Sequence, residues 1–239
     1  MSEIKFTAKK DFRAYKAGDT RTIRLAYNDV TFIVGNNGSG KSTLLHCIRA
    51  KKHTLFKINR EERDGMSNND DRILSDNSFC DIDGIDEFDN VFVLDSVDDN
   101  PLSLVNSSTA SSFINGGGML ASRLSNGQKT IDMLNRFIVK IQNVTDFDGK
   151  KYNEGGQCPT RNLIIFDEVD EGLDIKWQYR FATVLKNMSV IFNASVVCVT
   201  HNVMLPFFLH GKDCNVYDIK EGDEVKLSEY VERETGFKL

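Results

Sequence analysis

The sequence has no pair of cysteines at the spacing of a metal site or a redox site. Its five cysteines are scattered, and their number is odd. This pattern is typical of free thiols that pack as small apolar side chains in a reducing compartment. Residues 1–10 contain no apolar core of a signal peptide, so we expect a cytoplasmic protein.

The sequence also lacks an uninterrupted apolar segment long enough to cross a membrane. The longest stretch without a charged residue, 189–211, is interrupted by Asn193, His201, Asn202 and Pro206. We interpret it as a buried strand, a turn and a short apolar segment, and we expect no membrane insertion. There is no internal repeat and no long heptad pattern, which argues against repeat architectures and extended coiled coils.

The 239 residues, of which 40% are hydrophobic and 27% charged, are typical of one globular domain. The net charge of −5 is unevenly distributed: residues 1–60 carry 13 basic and 4 acidic side chains, and residues 61–99 carry 2 and 14. A basic face built from 1–60 could contact nucleic acid, or it could be an ordinary solvated surface. The acidic segment could instead cover this face or bind a basic partner.

Apolar strands alternate with helical patterns, which predicts an α/β fold with a mixed, mainly parallel sheet. We expect strands at 4–7, 20–25, 30–34, 91–94, 163–166 and 195–200, and helices at 42–50, 126–144 and 175–188. The remaining polar stretches are predicted to be an exposed excursion at 61–90, a flexible region at 107–118 and a loop at 146–159.

The strand at 30–34 leads into a segment with the complete pattern of a phosphate-binding loop. Glycines let backbone N–H groups approach phosphate oxygens, and the following helix directs its positive dipole end at the anion. Lys41 is expected to reach the β- and γ-phosphates, and Ser42 to bind Mg²⁺. The predicted nucleotide-binding residues of this loop are Gly35, Asn36, Asn37, Gly38, Ser39, Gly40, Lys41, Ser42 and Thr43.

A second motif is the apolar strand that ends in Asp167 and Glu168. In parallel sheets the carboxyl ends of strands carry ligand-binding groups. Asp167 could hold Mg²⁺ through water, and Glu168 could orient and deprotonate an attacking water. Together with the phosphate-binding loop, this motif indicates nucleotide hydrolysis.

A third motif, Ser125, Asn126, Gly127 and Gln128, follows Leu124 at the start of the helix predicted from residue 126. Alone it could be a helix N-cap, or a second anion cradle built from a hydroxyl and glycine backbone. Between the phosphate-binding loop and the Asp-Glu strand, it resembles the signature sequence of the ABC ATPase superfamily, with Asn126 where glycine is commonest.

Two further segments extend this resemblance. Residues 172–174, ending in Asp174, resemble the D-loop that follows the catalytic strand, and His201 resembles the switch histidine that senses the γ-phosphate. The resemblance implies a P-loop NTPase fold of the ABC-type ATPase head. It divides the head into a core lobe at about 1–95 and 160–239 and a small helical lobe at about 96–159.

The resemblance also implies what the protein binds and how it assembles. ATP and Mg²⁺ are the implied cofactors, with Glu168 and His201 as catalytic residues and Ser42 and Asp167 at the metal. Asp174 joins the nucleotide-binding set. The signature loop of one chain would complete the site of a second copy, so the resemblance implies an ATP-dependent homodimer.

One element departs from the family pattern. A glutamine usually ends a strand between the phosphate-binding loop and the signature, but here the strand at 91–94 is followed by Asp95 and Ser96. Asp95 could take over a metal-facing role, or it could be an exposed carboxylate in a turn. The aromatic residue that would stack on adenine is also open, because Phe12 and Tyr15 could both be core residues.

The branch of the superfamily follows from two details. The catalytic glutamate is followed by Val169 and not by the proline of transporter ATPases, and the signature continues with Lys129 and Thr130 and not with the arginine-rich sequence of transporters. Both details resemble the structural-maintenance-of-chromosomes and RecF-like branch. The 81 positions from Thr43 to Leu124 nevertheless leave no room for a long coiled coil. We therefore expect a head-only ATP-hydrolysing switch in repair, recombination or defence that acts on nucleic acid or a partner enzyme. The alternatives are a transporter ATPase subunit and a non-hydrolysing ATP sensor.

Overall fold

A computed structural model describes residues 2–52, 79–95 and 126–238. The strands within these ranges are β1 (Ser2–Ala8), β2 (Thr20–Leu25), β3 (Val30–Val34), β4 (Cys80–Asp83), β5 (Asn90–Asp95), β6 (Asn162–Asp167), β7 (Ala194–Val199), β8 (Asn215–Asp218) and β9 (Asp223–Lys226). The helices are α1 (Lys41–Lys52), α2 (Asn126–Thr145), α3 (Gly149–Asn153), α4 (Ile175–Ile191), α5 (Met204–His210) and α6 (Leu227–Thr235), with a 3₁₀ turn at Ile85–Glu87.

Six of the strands form one sheet in the order β5-β6-β7-β3-β8-β9. All neighbouring pairs are parallel except β8 and β9, which form an antiparallel hairpin. Every residue of β6 and β7 is buried, as expected for central strands covered on both faces. The predicted α/β fold with a mixed, mainly parallel sheet is therefore confirmed.

A second, antiparallel sheet has the order β2-β1-β4. The residues of β1 alternate between buried and outward-facing positions, so only one face of this sheet packs against the core. Side chains of this face, such as Ile4 and Phe6, pack in the same apolar cluster as α1 and one face of the larger sheet.

Alternation along β6 separates two apolar layers. Phe166 faces α2 and α4, where its ring centroid lies 5.7 Å from those of Phe137 and Phe181. Ile165, one residue earlier, belongs to the opposite cluster, which contains α1 and the smaller sheet. Residues at the end of β6 with the parity of Ile165 therefore face the start of α1.

The strands and long helices predicted from the sequence are present, with bounds that agree or differ by at most three residues. The segment 189–211 contains the expected strand and turn, but residues 189–191 end α4 and the apolar segment is the helix α5. The elements after residue 211 were not predicted. The division into core and helical lobes stays a prediction.

Two predictions about irregular segments are wrong in part. The segment 146–159, predicted to be a loop, contains α3, whose first turn is capped by Asp148 accepting a hydrogen bond from the Lys151 backbone N–H at 2.8 Å. Five residues are too few to show helical periodicity, so only the cap could have indicated this helix.

The predicted exposed excursion at 61–90 is wrong for residues 79–90. Cys80 and Ile82 of β4 and the nearby Phe88 are buried, because alternating apolar residues face the core while the aspartates between them face solvent. The average composition of the thirty residues 61–90, which are rich in acidic side chains, concealed this alternation. Residues 61–78 and the predicted flexible region at 107–118 lie outside the described residues.

All five cysteines are free thiols, and four of them are buried, as the scattered spacing predicted. Within the described ranges no helix has both the length and the apolar character needed to cross a membrane. The cytoplasmic location stays a prediction.

Candidate functional site

Side chains of the core pack closely against the glycine-rich loop between β3 and α1. Gly40 has a φ of +100°, and a Cβ there would lie 2.7 Å from the ring of Tyr15. A Cβ on Gly35, whose φ is +151°, would lie 2.6 Å from Ile219. Only glycine fits both positions, so the loop can follow a path that directs backbone N–H groups toward its concave side.

Lys41, the first residue of α1, places its ammonium over this loop. Its Nζ donates hydrogen bonds to the Gly35 carbonyl oxygen at 2.8 Å and to the Asn36 carbonyl oxygen at 3.2 Å. Burial lowers the pKa of Lys41, and the carboxylates of Glu168 and Asp167 oppose that shift. The site thus contains a buried cation that is already positioned, beside the N-terminus of a helix.

Tyr15 supports the loop and does not line its open side. Its side chain is 1% exposed, and its hydroxyl donates to the Gly40 carbonyl oxygen at 3.0 Å. Phe12 packs edge-on against Phe79 with ring centroids 4.9 Å apart. Tyr15 therefore belongs to the core and the partly buried Phe12 packs against it, whereas the turn between them, Arg13–Ala14, lines a cleft of about 370 Å³ with the loop.

Glu168 lies on the opposite side of this cleft. Its Oε1 is 2.7 Å from His201 Nε2 and 4.0 Å from Lys41 Nζ. Glu168 has a φ of +52°, which turns the chain at the end of β6. The structure therefore brings together three predicted residues that are widely separated in the sequence: the lysine of the loop, the candidate base and the candidate switch histidine.

Asp167 is buried beneath the cleft. Its side chain is 6% exposed and accepts a hydrogen bond from Ser42, while its Oδ1 has no hydrogen-bond partner among the described residues. Burial and the carboxylates of Asp95 and Glu168 raise the pKa of Asp167 to about 7, against the opposing effects of Lys41 and Ser42. A buried carboxylate oxygen without a hydrogen-bond partner is suited to bind a divalent cation.

A network behind the site holds the turn that carries His201. The buried Asp170 accepts a hydrogen bond from the Thr200 hydroxyl at 2.8 Å, and that hydroxyl accepts one from the Asn202 backbone N–H at 2.7 Å. Sequence reasoning assigned no role to Asp170. Its place in the acidic run after β6 was visible, but its partner lies thirty residues away.

The helix α6 supports the loop from the other side, and this support was also missed. Asn36 Nδ2 donates to Glu234 Oε2 at 2.8 Å, and Tyr230 hydrogen-bonds to the backbone of Gly35. Arg233 of the same helix pairs with the buried Asp218 at the end of β8. The contact between Asn36 and Glu234 spans 198 residues of sequence, so no local pattern predicts it.

The signature-like motif lies elsewhere. Ser125 is outside the described residues, Asn126 begins α2, and the exposed Gln128 follows in its first turn. A Cβ on Gly127 would lie 3.8 Å from Leu173, so this turn faces the D-loop-like segment. None of the described residues of α2 lines the cleft around Lys41.

Asp174 has a structural role in the described chain. Its carboxylate caps α4 by accepting a hydrogen bond from the Trp177 backbone N–H at 2.9 Å. Its predicted contact with nucleotide stays a prediction. Ile175, directly after the cap, is 63% exposed.

Asp167→Asn should stabilise the metal-free protein more at pH 8 than at pH 4.5. The unfolded carboxyl ionises near 3.8 and the folded one near 7, so unfolding releases a proton between these values and the destabilisation grows with rising pH. We expect a difference between the two pH values of about 2 to 4 kcal/mol in urea unfolding with a chelator. The exposed Asp213→Asn is the matched control, and a pH-independent effect of Asp167→Asn would contradict this account.

Comparisons with known proteins agree with this geometry. Residues 10–147 match the family model described as AAA domain. No curated protein matches the sequence.

Among solved structures, an inward-facing ABC transporter described as metal-chelate type is similar with a TM-score of 0.54 and 14% identity, covering 100% of this chain and 90% of its own. A nucleotide-free ATP-binding cassette from an ABC transporter is similar with a TM-score of 0.52 and 14% identity, and the match covers 99% of this chain and 96% of the cassette. The SMC head domain from Thermotoga maritima has a TM-score of 0.48 and 16% identity, and the match covers 91% of this chain and 94% of the head domain. The first two show that the fold is that of a P-loop ABC ATPase head.

Proposed function

Because the chain belongs to the AAA domain family, we propose that it binds ATP with Mg²⁺ and hydrolyses it. The observation that carries the proposal is the meeting of Lys41, Glu168 and His201 at one cleft, on a loop that has the phosphate-binding pattern. The triphosphate would lie along the loop, where the backbone N–H groups and the N-terminus of α1 attract anions. Lys41 would exchange its carbonyl partners for phosphate oxygens.

The residues beneath the cleft fit a magnesium ion. Ser42 and Asp167 are hydrogen-bonded to each other, and Asp167 Oδ1 is left without a partner in the described structure. Mg²⁺ typically binds one or two carboxylates and takes its other ligands from phosphates and water. When bound, the ion neutralises charge on the phosphates.

Glu168 is placed to act as the general base. Its hydrogen bond with His201 fixes the direction of the carboxylate, and its position across the cleft from Lys41 puts it where a water could approach the γ-phosphate. In the proposed step the water oxygen bonds to the γ-phosphorus, its proton passes to Glu168, and the bond to the bridging oxygen breaks to leave ADP. His201 keeps the base aligned and lies near the γ-phosphate position.

Glu168→Gln should keep ATP binding and lower the turnover rate by about 10²- to 10⁴-fold, because a positioned base is lost while its shape is kept. His201→Ala should give a smaller defect, since it orients the base. Phosphate release under saturating ATP measures both. The exposed neighbour Glu171→Gln is the control and should turn over normally. Normal turnover by Glu168→Gln would show that another group activates the water.

Assembly follows from the position of the signature-like motif. The described start of α2 packs against the D-loop-like segment and is not part of the cleft of its own chain. We propose that a second copy places Ser125, Asn126, Gly127 and Gln128 against the γ-phosphate of the first, and that its Asp174 segment lies at the same interface. ATP would then hold two chains together, and hydrolysis would separate them.

Ser125→Arg tests this arrangement. The added side chain should fill the proposed cradle and block dimerisation and turnover, while ATP binding within one chain survives. Solution mass with and without ATP, measured in a Glu168→Gln background to limit hydrolysis, reports the dimer. Lys129→Arg, which changes the same helix turn without altering charge, is the control. A Ser125→Arg protein with normal dimerisation or normal turnover would contradict the two-copy site.

The target of the switch is a nucleic acid or a partner enzyme in this proposal, of the repair, recombination or defence type. The basic residues of 1–60 give limited support to the binding of nucleic acid, because two of them already form ion pairs. Lys9 pairs with Asp81 at 2.6 Å, and Arg24 pairs with Glu3 at 3.4 Å. The first pair supports the interpretation that the acidic segment lies against the basic one. Absence of steady ATP turnover would favour a sensor, and copurification with a membrane protein would favour a transporter subunit.

A further inference from the structure

We propose that Asp95 is a second carboxylate ligand of the metal that accompanies the nucleotide, and that it makes nucleotide binding by this chain strongly dependent on a divalent cation. This inference rests on the proposed function. The sequence allows two interpretations of Asp95, a metal-facing residue or an exposed carboxylate in a turn. Its exposed fraction of 7% excludes the second alternative.

The register of the sheet puts the two aspartates side by side. Asp95 ends β5 and Asp167 ends β6, and the two residues are directly paired in this parallel ladder. Paired residues of adjacent parallel strands lie about 4.8 Å apart and direct their side chains to the same face. Both carboxylates therefore lie at the same corner of the sheet.

The parity of the strands shows which face that is. Val93 of β5 and Ile165 of β6 belong to the apolar cluster that contains α1. Residues two further along each strand, Asp95 and Asp167, have the same parity. The pair therefore faces the start of α1, where Ser42 hydrogen-bonds to Asp167.

A cation is the ligand that fits this pair. Asp167 is more than nine-tenths buried, and its Oδ1 has no hydrogen-bond partner among the described residues. Lys41 does not neutralise the corner fully, because its ammonium donates to two carbonyl oxygens of the loop. Two adjacent carboxylates with little solvent are unfavourable unless one of them takes up a proton or a positive ion joins them, and a divalent cation stabilises both at once.

The donor set is that of a nucleotide-linked metal. Within residues 2–52, 79–95 and 126–238, no group of three or more His, Cys, Asp or Glu is placed to hold a metal. Two carboxylates and the Ser42 hydroxyl are the usual protein share of a magnesium site whose remaining ligands are phosphate oxygens and water. A metal at this corner would therefore bind together with the nucleotide.

The second carboxylate has opposite effects with and without the metal. With the ion bound, Asp95 attracts it and strengthens binding of the metal–nucleotide complex. Without the ion, the charge of Asp95 lies near the site of the phosphates and repels them. A neutral side chain at this position should thus weaken metal-dependent binding while metal-free binding stays the same or becomes tighter.

The test measures the dissociation constant of a non-hydrolysable ATP analogue by calorimetry, with Mg²⁺ and with a chelator, for the full chain. The readout is the dissociation constant with the chelator divided by the dissociation constant with Mg²⁺. A purely structural defect weakens binding in both conditions and leaves this ratio unchanged. Asp95→Asn should lower this ratio about 10- to 100-fold, the range for loss of a group that supports a metal. Asp95→Glu should keep most of the ratio, since it keeps the charge.

The exposed Asp83→Asn, on β4 of the smaller sheet, is the control and should leave the ratio unchanged. An unchanged ratio in Asp95→Asn would overturn the assignment of Asp95 while leaving the proposed function intact. Failure of the unmodified chain to bind the analogue in either condition would overturn the proposed function, and this inference with it.

Discussion

The hydrogen bonds from Lys41 Nζ to the Gly35 and Asn36 carbonyl oxygens are the interaction on which the candidate site depends. They hold a buried ammonium over the glycine-rich loop, where its cost in lost hydration is offset by two carbonyl dipoles and by nearby carboxylates. Because the lysine is the first residue of α1, the same contact fixes the loop to the N-terminus of the helix. Loop, cation and helix dipole thus act on one point of the cleft.

The surrounding fold serves to keep that loop in place. Tyr15, in the connection between β1 and β2, supports it at Gly40, and α6 holds Asn36 through Glu234. The parallel strands β5 and β6 end in Asp95 and Asp167 beneath the cleft, and Glu168 follows β6 across from Lys41, so the site brings one cation near three carboxylates. This balance favours a divalent cation between the carboxylates and the phosphates, as the proposed function requires.

Much of this arrangement is visible in the sequence because it depends on local patterns. The glycine spacing before Lys41 and the apolar run before Asp167 each specify a strand, a turn and the chemistry at its end. The role of His201 was inferred from its place in the family order and not from spacing, and its hydrogen bond to Glu168 was not predicted. What could not be predicted depends on contacts between distant segments.

The contacts between α6 and the glycine-rich loop are examples, and so is the hydrogen bond between Thr200 and Asp170. So are the register that sets Asp95 beside Asp167 and the burial of Tyr15. The strand β4 was missed for another reason: its two core-facing residues, Cys80 and Ile82, are set among many acidic ones. Alternation of period two carries the information there, whereas average composition conceals it.

The central claim is that Lys41 is the cation that receives the triphosphate. Calorimetric titration of Lys41→Ala with ATP and Mg²⁺ tests it most directly, beside the exposed Lys176→Ala as control. The account predicts that affinity falls by at least about 100-fold, since hydrogen bonds from a buried charge to phosphate oxygens are lost. Unchanged ATP affinity in Lys41→Ala would contradict the account.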